Sequence, residues 1–476
     1  MPELIIDRCF ENCQPELATL AELILAGNVT YPYETLAMPR KRFGPRPVTI
    51  ATTPARIAYQ SLVNHLGDAL GPRSREGDNW DKHRDFALDS GSDYVVKFDI
   101  ASFYEYVDHD ILRQSVLNQS LDPASTDMLG NVLQSVIGGT RGLPQLSTPS
   151  DHLADVYIAP LERRLARDGF TVSRYVDDFT VACADWETAN IIIERSAEYA
   201  RSLGLVLSSE KTKINKRATL VLESHSESEF FHRYFDLARV ELSQVFFWGD
   251  YGELISFDET ETPDESATMQ AAMWQLVNDW HSTLSQTAPE DIFHTEGHFR
   301  TYLASAFGWL RGYGERIPDS VMQDAVFRHP LLLVAVCGYI AARAAEDSFA
   351  EDPWESLWLL TIMGRQSAWA KIWLLNTISG LPTSSAARYP HVMEWVTAQI
   401  EDRHETVRAE ATWTAATHKV LSEGQMIKAY MMASPISQGA VAASMGRQGS
   451  YAKSAVSAIT GDGPLIKKAY EWACQK

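Results

Sequence analysis

The sequence lacks any apolar run near the roughly 18 residues that a membrane span requires. Its first residues, MPELIIDRCFENCQPEL, do not form a signal peptide. Neither insertion in a membrane nor secretion is expected, and a cytoplasmic location is. Cysteine is scarce, with five residues, an odd number, scattered over 476. That excludes a disulfide framework and fits a reducing compartment. Cys9 and Cys13 in CFENC have no second Cys/His pair at ligand spacing to complete a metal site, so they read as buried thiols. Positive charge is in deficit too. A formal net charge of −20 argues against a protein that coats nucleic acid nonspecifically. One segment runs against that balance: Arg40, Lys41, Arg42, Arg46, Arg56, Arg73, Arg75, Lys82 and Arg84 face only four acids between residues 40 and 84.

The chain is 45% apolar and 22% charged, an ordinary folded composition, and is long enough for two or three domains. The first 250 residues mix strand and helix patterns. DYVVKFDI (93–100) alternates and is rich in Val, Phe and Ile, so it reads as a strand. TPSDHLADVYIAPLERRLARDG has helical apolar spacing, capping chemistry at its start and Gly169 at its end. DWETANIIIERSAEYARSLG reads as a further helix, ending at Gly204. DETETPDESA (258–267) is acidic and lacks apolar residues, which suits an exposed connection. From about 268 nearly every segment is one helix long and bounded by Pro, Gly or polar breaks. That pattern resembles an α-solenoid of the HEAT type, without a clean repeat period. Trp274, Trp309, Trp358, Trp369, Trp373 and Trp395 fall on these segments and read as core residues. The expected division is 1–255 mixed, 256–267 acidic linker, and 268–476 helical.

SRYVDDFTVAC (173–183) sets Asp177 beside Asp178 inside a stretch that otherwise suits a buried strand. Either this is an acidic hairpin turn, or a cation is meant to sit there. Asp99, at the end of YVVKFD, offers a third carboxylate in a matching place. Three carboxylates at strand ends are what a two-metal phosphoryl-transfer site requires. Mutual repulsion between Asp177 and Asp178 would then be relieved by the metal.

These residues carry a resemblance to reverse transcriptases. VVKFDIASFYEYVDH resembles the first palm motif, with Asp99 as metal ligand and the Ile100 carbonyl assisting. GLPQLSTPSDHLADVYIAPLERRL resembles the second, RYVDDF the third, and LGLVLSSEKTKI the fourth, with Lys211 in its usual position. RKRFGPRPVTIATTPARIAYQSLVNHL resembles the fingers segment. The resemblance implies an α+β right-hand polymerase of palm and fingers, here followed by an all-α HEAT-like domain. It implies catalysis by Asp99, Asp177 and Asp178 with Mg2+, Mn2+ being the alternative. Lys41 and Arg46 would hold the triphosphate. Tyr104 stands where the family keeps an aromatic that clashes with a ribose 2′-hydroxyl, implying dNTPs as substrates. Gln145 matches a glutamine beside the incoming nucleotide. Its successor is Leu146, where most relatives have a glycine that leaves the loop's backbone free; this departure bears on ordinary processive copying.

No RNase H, integrase, endonuclease or basic thumb segment follows, and the C-terminal half is acidic and helical. That combination resembles the abortive-infection, or unknown-group, reverse transcriptases of bacterial antiphage defence. The resemblance implies DNA synthesis that is untemplated or directed by a noncoding RNA, homo-oligomers, and priming from a tyrosine hydroxyl, which leaves the DNA product covalently attached. A retron-like enzyme templated by a noncoding RNA is the alternative within this class. A second class keeps the polymerase fold as a scaffold whose helical half binds a partner. A nuclease effector in the C-terminal half is a third option, but RHETVRAEATWTAATH (403–418) does not give the Arg-x4–6-His pattern cleanly.

Overall fold

The computed structural model describes residues 1–476 except 41–43, 243, 249–253, 259–263, 287–297, 346–351 and 384–387. The described strands are β1 (Tyr33–Pro39), β2 (Pro45–Ala51), β3 (Tyr94–Asp99), β4 (Thr171–Tyr175), β5 (Asp178–Cys183), β6 (Lys213–Lys216), β7 (Gln244–Trp248) and β8 (Leu254–Asp258).

Alternation along β3 gives the central sheet two unlike faces. The sheet is antiparallel, in the order β4–β5–β3–β6. On one face Phe98 and Phe179, paired in register, stack with ring centroids 4.8 Å apart. They join Val96 and Val181 in a core shared with Leu153, Val156, Tyr157, Leu161 and Leu165 of the helix Thr148–Arg167. The other face carries Lys97, Asp99, Asp178 and Thr180. There the helix Asn79–Asp89 lies over β4 and β5, with His83 Nδ1 3.0 Å from Ser173 Oγ. The helices expected on either side of the hairpin form as Thr148–Arg167 and Trp186–Ser202, the latter capped by Asp185 on the Thr188 N–H at 2.7 Å.

In the second half, the helices Glu265–Gln286, Phe299–Trp309, Leu333–Ala345, Ala368–Ser379, Glu405–Thr417, Gln438–Gln448 and Pro464–Ala473 each pack against the next. Shorter helices (Asp319–Arg328, Pro353–Thr361, Pro390–Ala398, Glu423–Met431 and Lys453–Thr460) alternate with them in the chain. Trp369 is buried, but Trp309 is 43% exposed, so helical spacing alone did not put every tryptophan inside. The segment read as an acidic connection begins with the end of β8 and closes on the helix Glu265–Gln286. Its residues 259–263 lie outside the described residues.

The two hydrophobic cores do not divide where the chain does. Leu4, Ile5, Ile6, Cys9, Phe10 and Cys13, together with Leu36, Val48 and Ile50 of β1–β2, belong to the core of the helical half. Two carboxylates, Glu34 half-buried and Glu410 buried, explain the attachment. Glu34 on β1 caps the helix Glu405–Thr417: its Oε1 accepts from the Glu405 N–H at 2.7 Å, and its Oε2 from the Thr406 N–H at 2.9 Å and hydroxyl at 2.7 Å. From the same helix, Glu410 accepts the Ile5 N–H at 2.6 Å, and burial pushes its carboxyl up to about 7. Helix N-termini leave donors that must find partners, and a charged cap satisfies several at once. Glu34→Ala should therefore cost about 2 kcal/mol, read as a lower denaturant midpoint; an unchanged midpoint would show that the cap does not secure the hairpin.

Candidate active site

The β4–β5 hairpin turns through only two residues, Val176 and Asp177. Val176 has φ +56°, the left-handed region that such turns fill with Gly or Asn and that a β-branched residue resists. A frame holds it there. The Val176 N–H donates to Ser74 Oγ at 3.2 Å, and its carbonyl accepts from Arg174 Nη1 at 3.0 Å. Arg174 is buried and also binds Asp155 Oδ1 at 2.6 Å and Glu162 Oε2 at 2.8 Å. Asp155 Oδ2 in turn takes the Ser74 N–H at 2.8 Å. Asp155 thus organises both grips on the turn, and two carboxylates offset the cost of burying the guanidinium. A strained turn persists only where its surroundings over-determine it.

The frame delivers Asp177 and Asp178 to the end of the sheet at which β4 turns into β5. Asp178 is the direct register partner of Asp99. Asp99 is buried, and its carboxyl is pushed up to about 7, first by burial and then by the Asp177 and Asp178 charges, against the opposing pull of Lys211. Asp177 is raised as well, by burial and then by Asp178. The Lys211 ammonium is hydrogen-bonded to Asp99 Oδ2. Among the described residues, no three His, Cys, Asp or Glu side chains form a ready-made metal cluster. The donor set nevertheless fits a hard divalent cation in kind. It consists of carboxylate oxygens with excess negative charge, and an ammonium already stands against one of them. At Ile100 the bridge to Leu207 is closed by the Ala101 N–H to Val206 O at 2.8 Å and the Ser208 N–H to Asp99 O at 2.7 Å. The Ile100 carbonyl is not spent on that bridge.

The other residues singled out in the sequence gather unequally. The Tyr104 hydroxyl donates to Asp151 Oδ1 at 2.6 Å, and Arg75 Nη1 holds Asp151 Oδ2 at 3.1 Å. Burial and that carboxylate both push the Tyr104 phenol up. The loop with Gln145 is bound to the same segment, with the Leu143 N–H on Tyr104 O at 2.7 Å and the Gly142 N–H on Val107 O at 2.8 Å. Gln145 is half-buried, and Leu146 has φ +60°. The loop thus sets a leucine in the left-handed region that a residue with a Cβ resists. Arg46 is half-buried on β2, whose hairpin is tied to the Tyr104 helix by Arg40 and Glu105 at 3.3 Å. Lys41 lies outside the described residues.

Ser74, Asp151, Asp155 and Arg174 were not singled out from the sequence. Two of them left a signal: Asp155 is an acid within the apolar stripe of LADVYI, and Arg174 directly precedes the tyrosine of the hairpin motif. Arg174→Lys keeps the charge but loses the guanidinium fork. It should lower the turnover of nucleotide incorporation on the order of 100-fold by misplacing the carboxylates, with the KM for nucleotide little changed. Turnover near wild type would show that the frame does not position the site.

Residues 39–230 match the family model described as reverse transcriptase (RNA-dependent DNA polymerase). No curated protein matches the chain. Among solved structures, the chain is similar to a telomerase from Candida albicans, in complex with a TWJ fragment of telomeric RNA. The likeness has 12% identity and a TM-score of 0.29, and covers 80% of this chain and 67% of that one. At that TM-score it carries no inference about this chain. The family match, resting on the segment that holds the three aspartates, shows that residues 39–230 are a reverse transcriptase domain, which marks an enzyme of the RNA-directed DNA polymerase type, a nucleotidyltransferase.

Proposed function

We propose that this chain is a Mg2+-dependent, dNTP-using polymerase that acts in bacterial antiphage defence, with synthesis that is untemplated and primed from a tyrosine of the protein itself. The observation that carries the catalytic part is Asp99 facing Asp178 in register beside a strained turn that presents Asp177. Bound metal would supply activation of the attacking hydroxyl and stabilisation of the leaving pyrophosphate. Asp99, Asp177 and Asp178 would hold it, with the Ile100 carbonyl as a further oxygen. The Lys211 ammonium, bonded to Asp99, stands where it would serve the nucleotide if a cation took its place on that carboxylate. Arg46 and Lys41 neutralise the triphosphate. Tyr104, fixed by Asp151, closes the sugar pocket against a 2′-hydroxyl, and Gln145 lies in the loop beside it.

The defence assignment rests on the resemblance of the whole chain, a compact polymerase core followed by an acidic helical half. The succession of packed helices, with shorter ones between them, supports a HEAT-like repeat there. Synthesis directed by a noncoding RNA is the alternative outcome, and a homo-oligomer is expected in either case. A silent scaffold is the reading favoured by a different observation, the Lys211 ammonium bonded to Asp99 with no assembled three-ligand cluster among the described residues.

Purified protein with Mg2+ and labelled dNTPs, without template or primer, should yield label that stays with the protein until proteolysis and survives RNase. Label that appears only when a copurifying RNA is retained would move the reading to a templated enzyme. Asp177→Ala combined with Asp178→Ala should fold as well as wild type or slightly better, because it removes repulsion, and should abolish synthesis. Synthesis retained in that variant would overturn the site, and none in wild type under any of these conditions would favour the scaffold.

A further inference from the structure

Lys97 lies two residues before Asp99 on β3, so the two side chains share a face of the sheet. On the neighbouring strand, Lys213 is its direct register partner. Like charges directly opposite each other oppose strand pairing. Neither ammonium forms an ion pair among the described residues, although Asp178 and Glu223 act on Lys97 through space. Several other cations of this half are matched: Arg40 with Glu105, Arg73 with Glu76, Arg75 with Asp151, Lys82 with Asp78, and Arg84 with Asp81 and Asp85. In a chain of net charge −20, carboxylates are plentiful, yet these two lysines are set against each other. Lys97 is half-buried and Lys213 exposed, which leaves the pair open to an anion arriving from solvent.

The position selects among anions. Two residues along a strand span about 7 Å, one to two nucleotide steps of a strand laid over the carboxylates. The nucleotide pocket lies on the other side of Asp99, where the chain runs on to Tyr104 and meets the loop of Gln145. The β1–β2 hairpin with Arg46 is fastened to that side through Arg40 and Glu105. A triphosphate held there would not reach back to Lys97. A growing strand would, because its last phosphates trail away from the reacting end.

We propose that Lys97 and Lys213 bind the phosphodiester backbone of the strand being extended, directly behind its reacting 3′ end. This rests on the polymerase reading above. The pair neutralises successive phosphates and holds the terminal hydroxyl over Asp99 and Asp178, and the like-charge repulsion is relieved when the strand binds.

The test uses the full chain and a fluorescent single-stranded DNA oligonucleotide, with affinity measured across a range of salt. In Lys97→Gln/Lys213→Gln, the slope of log affinity against log salt should fall by about 1.4, two single-strand phosphate contacts' worth. The KM for dNTP should be unchanged, and the melting temperature should not fall, because a repulsive pair has been removed. Lys97→Arg/Lys213→Arg should keep the wild-type slope. A glutamine variant with wild-type slope and affinity would overturn the proposal, and so would an effect confined to the KM for dNTP, which would assign the lysines to the triphosphate. If wild type neither binds the oligonucleotide nor incorporates nucleotide, the polymerase reading falls as well. If wild type does both and the glutamine variant matches it, only the lysine assignment falls.

Discussion

The organising constraint of this molecule is three carboxylates held where they repel one another. Asp177 sits in a two-residue turn, Asp178 opens the strand that follows, and Asp99 is buried opposite Asp178 on the adjacent strand. Burial and proximity both favour neutral carboxyls, so the arrangement is unstable in itself and must be enforced from outside. The enforcement comes through the backbone: Arg174 and Ser74 grip the carbonyl and amide of Val176, and Asp155 aligns both grips. The stacked Phe98 and Phe179 fix the register that sets Asp99 against Asp178. An apolar core on one face of the sheet thereby sustains a charged cluster on the other.

A second constraint joins the parts of the chain. The β1–β2 hairpin, with Arg46 near its turn, buries Leu36, Val48 and Ile50 in the core of the helical half. Glu34 then fixes it to the start of the helix Glu405–Thr417, and Glu410 of that helix holds the N-terminal segment. The placement of Arg46 is therefore set by the second half of the sequence as much as by the sheet that bears the aspartates. A displacement of the helical half would be felt first at the hairpin.

Much of this was legible in the sequence where local patterns decide the outcome. Period-2 alternation marked β3, the helical apolar stripes marked Thr148–Arg167 and Trp186–Ser202, and two acids within a strand-like run marked the hairpin. What escaped depends on distant contacts. Ser74 meets Val176 across 102 residues, and nothing local in a serine announces that it will cradle a strained turn. Glu34 looked like one acid among many, because the helix end it caps lies far along the chain. Leu146 was noticed as a departure from glycine, but that the loop keeps a left-handed residue there became visible only in the backbone angle. Trp309 shows the opposite failure: helical spacing gives a face, not its partner.

The most direct measurement is proton release on divalent-cation binding, by calorimetry in buffers of different ionisation enthalpy, with Mn2+ as the probe. Asp99 is pushed up to about 7, so near neutral pH a cation must displace a proton that this carboxyl partly retains. Binding should therefore release a fraction of a proton at pH 7 and approach one below it, with affinity weakening as the pH falls through 7. Asp99→Asn should reduce that release to what Asp177, whose carboxyl burial and Asp178 also raise, contributes. Cation binding without proton release, or release unchanged in Asp99→Asn, would contradict the claim that these three carboxylates form the metal site.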